Sequence, residues 1–280
     1  MRWQHLTRPR CRAKNKRNCV VERGDGEKAK RRNGKKESFF VFFPFSRFPF
    51  SPLPLTLKLR VLAVGTPWVT SVHEKTLIVT FPDRYRVLSW APLGGGAVEA
   101  QTIINHQVNT HESPAPEPEV FMDTLAHRLG VEFPVVGLMT GVPIKRLVQK
   151  AVTHDDLTIE CFATVGLSNA LAAGDPATYE EHVGTINLIV VVGQPLAPPA
   201  MTEAIQLVTE AKTAALMGAG IRSAVSNALA TGTGTDCVAL ACPVGVPAYR
   251  YCGKHTKLGE LIGKVVSEAM KEGIRKATAR

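Results

Sequence analysis

The chain has 280 residues, 45% of them hydrophobic and 21% charged, the balance of a globular protein with enough chain to bury a sizeable core. This excludes a disulfide-held mini-protein and a wholly disordered chain, and the apolar stretch at residues 186–193, itself interrupted by Asn187, falls far short of the roughly 20 residues that a membrane span needs. The net charge of +10 divides unevenly: residues 1–60 hold 17 Lys and Arg against 4 Asp and Glu (+13), and residues 61–280 hold 17 against 20 (−3), so basicity assigns the body no nucleic-acid role.

Residues 1–60 read as an extension, basic at first and then rich in Phe and Pro, and are predicted to be disordered. Residues 8–36 are basic and carry no hydrophobic periodicity. Residues 38–54 hold 7 of the 11 Phe, and Pro44, Pro49, Pro52 and Pro54 forbid a regular helix and disfavour a central strand. Glu22, Asp25, Glu27 and Glu37 are unusual in an organellar targeting peptide, and the apolar part begins too late and is too broken for a secretory signal. The expectation is a low-structure leader or a start-site extension on a cytoplasmic body, with organellar import through residues 1–60 left open.

The body, residues 61–280, is expected to be a single domain. Residues 76–82 and 85–92 predict two strands about a short turn at Asp83 and Arg84. The loop at Leu93, Gly94, Gly95 and Gly96 follows, then a helix over 97–108. A Pro-rich loop over 113–119 leads to a helix over 118–129, with Pro118 in its first turn and Gly130 as its C-cap. Ile144, Leu147, Val148 and Ala151 fall at helical spacing, so 143–152 is also predicted helical. Leu157, Ile159, Cys161, Ala163 and Val165 alternate, which predicts a strand over 157–165. A buried strand over 185–192, a helix over 198–216 started by Pro198 and Pro199, a strand over 236–242 and a helix over 256–274 complete the chain. The resulting class is α/β or α+β, with a mixed β-sheet covered by helices.

One segment repeats. SNALAAG at 168–174 and SNALATG at 226–232 agree at six of seven positions, and each precedes a strand and then a helix. This predicts two related units about a pseudo-twofold axis, with both loops facing one site.

Chemistry concentrates in the second half. Thr231, Gly232, Thr233, Gly234, Thr235 and Asp236 form a Gly/Thr loop whose hydroxyls and backbone N–H groups can converge on a polar ligand. No Gly-Lys-Ser/Thr follows it, so it is not a P-loop. Asp236, at the junction of loop and strand, is a candidate base or orienting carboxylate. Lys254 and His255 precede the last helix, where the helix dipole disfavours positive charge, and this points to a ligand role. Glu210 and Lys212, two residues apart on one helix, point to different faces. Asn105, Asn169, Asn187 and Asn227 lie beside apolar text and suit turn caps or amide orienters. His106 and His111 lack metal-ligand spacing. The six cysteines form no CxxC and no trusted zinc spacing, and read as buried free thiols in a reducing compartment, so no metal is expected.

The ordered segments VLSWAPLGGG (87–96), GLSNALAAGDP (166–176), GTINLIVVV (184–192), TEAKTAAL (209–216), ATGTGTDCVAL (230–240) and GKHTKLGELIGKVV (253–266) resemble the adenosylcobinamide amidohydrolase family, from about residue 75 to 280. Gly94 stands where family members more often have Asn. The resemblance implies hydrolysis of the amide joining the aminopropanol arm to the corrin ring of adenosylcobinamide, giving adenosylcobyric acid and (R)-1-amino-2-propanol. The partner is then a corrinoid small molecule, and the cobalt belongs to the substrate, with no further cofactor. In such a reaction Asp236 or Glu210 would activate water, the Thr233–Thr235 amides or Lys254 would hold the oxyanion, and His255 or Lys212 would protonate the amine. Thr233 or Thr235 as a hydroxyl nucleophile is the rival mechanism. Asn169, Asn187, Thr231, Gly232 and Gly234 are expected to contact substrate. A corrinoid-binding salvage protein without hydrolysis, and a nucleotide-binding transferase built on the Gly/Thr loop, are the alternatives.

Overall fold

A computed structural model describes residues 66–109, 117–177, 184–246 and 248–279. The expected extension 1–60 and His111 lie outside these residues. Among the described residues, ten strands and three α-helices are arranged mainly around one mixed sheet. The strands are β1 (Val69–His73), β2 (Thr76–Ser89), β3 (Gly96–Gln107), β4 (Val135–Thr140), β5 (Val148–His154), β6 (Leu157–Val165), β7 (Ala170–Leu171), β8 (Ile186–Val192), β9 (Gly232–Thr233) and β10 (Cys237–Pro243). The helices are α1 (Pro118–Leu129), α2 (Pro198–Gly218) and α3 (Lys257–Thr278). The sheet runs β4-β3-β2-β10-β8-β6-β5, with β1 paired to β2, and β7 and β9 form a separate two-stranded ribbon.

The sheet folds over on itself. β2 is a single strand of 14 residues, and its pairing with β3 shifts register between Thr80 and Tyr85. The predicted turn at Asp83 and Arg84 is therefore a bulge in one continuous strand, which bends and twists it. The first half of β2 pairs with β1 and the second half with β10. Leu77, Val79, Val136 and Leu138 from one limb thus pack with Phe162, Ile189, Val191 and Ala239 from the other. The outer face of the first limb, including Ile78, Ile104 and Val135, is covered by Met122, Leu125 and Ala126 of α1. The outer face of the second limb is covered by α2 and α3, whose stripes meet Leu188, Val190, Val238 and Leu240.

Two predicted helices are corrected. Residues 97–107 belong to β3 instead, because Ala100 and Ile103 serve one core layer and Ile104 another. Burial on both faces hides the period-two signal. Over 143–152 the chain makes one turn of 3-10 helix, Ile144–Arg146, and then the edge strand β5. Seven residue pairs to β6, closed by a tight turn with Asp155 at φ 52, outweigh the helical spacing.

The repeated text also takes a different form. β8 and β10 are adjacent and parallel, and α2 and α3 lie on the same face. The two units are therefore related by a shift across the sheet and not by the pseudo-twofold that the sequence suggested. Both loops still meet at one end of the sheet: Ala170 pairs with Thr233, and Leu171 with Gly232.

Candidate active site

Where β8 and β10 begin, side by side and parallel, their leading loops are stitched together. Thr185 Oγ1 donates to the Thr235 carbonyl at 2.7 Å, and Thr235 Oγ1 donates to the Gly184 carbonyl at 3.2 Å. Gly234 N–H donates to the Asn169 carbonyl at 3.2 Å. The Thr231 hydroxyl accepts from Ala173 N–H at 2.9 Å, while its carbonyl accepts from Thr213 of α2 at 2.9 Å. The loop is thus fixed from three sides, by the first repeat, by β8 and by α2.

Asp236 is the centre of this arrangement. Its Oδ1 accepts from Thr233 Oγ1 and, at 3.2 Å, from Ile186 N–H. Its Oδ2 is paired with the Lys212 ammonium. Lys212 is buried, at 7% exposure, so the ion pair is largely removed from solvent screening. The pair depends on Gly232: a Cβ there would lie 2.8 Å from Lys212 Nζ and closer still to Asp236 Oδ2. Gly234 is constrained in a similar way, since a Cβ would come within 2.8 Å of Asn169 Nδ2.

A pocket of about 300 Å³ opens beside this cluster. Thr140, Thr185, Thr235 and Asp236 form its polar side, and Trp90, Pro92, Val108, Pro118 and Met139 its apolar side. Behind the pocket, the two limbs of the sheet are joined by a buried amide ladder. Asn187 Nδ2 donates to Asn105 Oδ1 at 2.9 Å and to the Met139 carbonyl at 2.7 Å, and Asn105 Nδ2 donates to Thr164 Oγ1 at 3.1 Å. Asn105 and Asn187 are therefore cross-links between layers. Cys237 also lines the pocket, but burial pushes its thiol up to about 11, so it is not a thiolate nucleophile near neutral pH. The thiols of Cys161, Cys237, Cys242 and Cys252 are all buried and free.

The structure brings together Asp236, Lys212, Thr231, Gly232, Thr233, Gly234, Thr235 and Asn169, with Asn187 just beneath. It places Glu210, Lys254 and His255 elsewhere. They line a separate groove of about 220 Å³ between α2 and the loop before α3. There Lys254 Nζ meets Glu210 Oε2 at 2.5 Å, and Gln206 donates to Glu210 Oε1 at 3.0 Å. The Lys254 hydrogen bond, helped by that of Gln206, lowers the Glu210 carboxyl from its ordinary value. Two residues along a helix turn the side chain by about 200°, so Glu210 and Lys212 serve opposite sides of α2. Sequence reasoning assigned no role to Trp90, Thr185 or Met139; a lone Trp at a strand end was the only available signal among them.

Gly94 has φ 64, and a Cβ there would collide with the Val135 carbonyl. The close backbone approach to β4 thus calls for a glycine at this position. Among the described residues no group of three or more His, Cys, Asp or Glu is placed to hold a metal ion, and no helix is long and apolar enough to cross a membrane.

Residues 64–280 match the family described as adenosylcobinamide amidohydrolase. A Methanosarcina mazei protein named adenosylcobinamide amidohydrolase is 33% identical over 212 residues, covering 72% of this chain and 96% of its own length. An uncharacterized protein of Methanocaldococcus jannaschii is 30% identical over 231 residues, covering 73% of this chain and 87% of its own. A solved Burkholderia β-aminopeptidase is 11% identical, with a TM-score of 0.39 over 74% of this chain and 79% of its own, too slight a likeness to inform the site.

Proposed function

The chain belongs to the adenosylcobinamide amidohydrolase family, and from that premise we propose that it cleaves the amide between the corrin ring's propionate and the aminopropanol arm, releasing adenosylcobyric acid and (R)-1-amino-2-propanol in corrinoid salvage. The observation that carries the chemistry is the Lys212–Asp236–Thr233 cluster beside the pocket. Amide hydrolysis needs an activated oxygen nucleophile, donors for the tetrahedral oxyanion and a proton for the departing amine. In this reading Asp236 takes a proton from water as the water oxygen bonds to the carbonyl carbon. It then returns that proton to nitrogen as the C–N bond breaks. Lys212 and Thr233 hold the carboxylate in place. Gly234 N–H is occupied by the Asn169 carbonyl, so the amides of Thr235 and Asp236 are the oxyanion donors assigned here.

Thr233 supports a second version, because its hydroxyl already donates to the carboxylate and the carboxylate is oriented by Lys212. That is the arrangement of nucleophile, base and orienting group. The Thr233 hydroxyl oxygen would bond to the carbonyl carbon as Asp236 takes its proton, the C–N bond would break as that proton passes to the departing aminopropanol nitrogen, and water would then hydrolyse the resulting ester to the corrin acid and free Thr233. Hydroxylamine trapping of that ester would identify this version, and the absence of any trapped adduct during turnover would leave water as the nucleophile.

The test of the function is a comparison of the full-length protein with its Asp236→Asn variant on adenosylcobinamide. General-base removal is expected to slow aminopropanol release by about 10²–10⁴-fold while corrinoid binding persists. Binding without release by the unaltered protein would identify a non-hydrolytic corrinoid carrier instead.

A further inference from the structure

We infer that Trp90 is the platform on which the corrin ring rests, and that it sets the specificity of this site for corrinoid amides over small amides. The inference rests on the function proposed above.

Three observations carry it. The first is that Trp90 is 51% exposed, although it lines the apolar side of the pocket that Asp236 closes on the polar side. An indole left half in water at a pocket mouth leaves a large apolar face uncovered.

The second is that this face is held rigidly. Its Nε1–H donates to the Asp236 carbonyl at 2.6 Å. The backbone beneath it is pinned by Ser89, whose Oγ donates to the Val238 carbonyl at 2.9 Å and accepts from Ala91 N–H at 3.1 Å. The indole therefore spends its one polar group on the main chain of the proposed base and presents only its ring to a ligand. A preorganised aromatic surface loses little entropy on binding.

The third is size. At about 300 Å³ the pocket lies at the bottom of the range for small-molecule sites. That volume suits the aminopropanol arm and its amide. The macrocycle has to stay at the mouth, where Trp90 stands.

The geometry also couples the two jobs. The residue that carries the ring is hydrogen-bonded to the main chain of the proposed base, so a ring seated on the indole delivers its amide at a fixed distance from Asp236.

The test uses full-length protein, adenosylcobinamide as substrate, and adenosylcobyric acid as a probe that keeps the ring and lacks the arm. Binding is read by equilibrium dialysis from the corrin absorbance. Trp90→Phe keeps an aromatic face and loses the N–H; Trp90→Ala loses both. Stacking on an aromatic platform predicts that Trp90→Ala weakens both ligands by about tenfold or more, with a matching rise in KM and a smaller change in kcat, whereas Trp90→Phe stays within about threefold.

If Trp90→Ala binds the probe as the unaltered protein does, the platform is refuted while the hydrolase reading stands. Equal losses in both variants would assign the effect to the hydrogen bond on Asp236 and also refute it. If the unaltered protein neither binds nor hydrolyses a corrinoid, the functional reading itself fails, and the platform with it. Thermal midpoints of both variants show whether a loss comes from misfolding.

Discussion

At the scale of single residues, Asp236 has little room around it for change. Gly232→Ala would drive a methyl group into the Lys212–Asp236 pair. Turnover should fall by at least about tenfold for a misplacement of this kind, with a far smaller change in thermal midpoint; assays of both on one preparation check this. Lys212→Met is expected to act differently. It strands a buried carboxylate and should cost about 3–5 kcal/mol in denaturant unfolding. Glu160 supplies a pH signature. It is 2% exposed and accepts from Trp68 Nε1 and Gln149 Nε2. Burial raises its pKa, although the hydrogen bonds from Gln149 and Trp68 oppose the shift. Above pH 4.5 the native state then holds a proton that the unfolded chain has lost, so stability from this group declines as pH rises through the folded pKa. Glu160→Gln should flatten that decline when thermal midpoints are measured across the acidic range; an unchanged slope would remove Glu160 as its source. The Gly/Thr loop and Asp236 were legible because two glycines among three threonines before an apolar strand have few structural uses. Trp90 was not, since nothing in a lone Trp says whether its ring faces the core or a ligand.

At the scale of elements, α2 and α3 show why some candidates parted. Lys254 and His255 stand before the N-terminus of α3, where positive charge opposes the dipole. The structure gives Lys254 a local partner in Glu210. Thr256 caps the helix by accepting from Gly259 N–H at 3.0 Å. Thr256→Ala should therefore cost about 1 kcal/mol of stability and leave kcat unchanged. Lys254→Ala and Glu210→Gln should likewise keep near-unaltered turnover. A large loss in either would join their groove to the chemistry. The strand and helix succession from 185 onward was readable because α3 carries a clean stripe and β8 is apolar on both faces apart from Asn187. β3 and β5 were not: β3 is buried twice over, and β5 is an edge strand whose apolar spacing imitates a helix. In both cases cross-strand pairing decides the outcome, with β6 for β5 and with β2 and β4 for β3, and the spacing within one segment does not carry that pairing.

For the whole molecule, the fold places the candidate cluster around Asp236 by closing one sheet on itself. The bulge in β2 bends the sheet, the two limbs meet, and the Asn105–Asn187 ladder ties them just behind the pocket. Asn187→Leu would leave Asn105 Oδ1 and the Met139 carbonyl without this donor, which predicts a loss of about 1–3 kcal/mol in urea unfolding. Mixed α/β class was legible from composition and periodicity, but the folding-over was not, because a bulge and a hairpin turn share the same Pro-Asp-Arg text. The proposed reaction adds water across one amide bond of a corrinoid. It is tested most directly by running the reaction of the full-length protein with adenosylcobinamide in ¹⁸O-labelled water and weighing both products. The account predicts a corrinoid acid carrying one labelled oxygen and an unlabelled aminopropanol. Label in the aminopropanol, or intact substrate recovered from protein that binds it, would contradict the account.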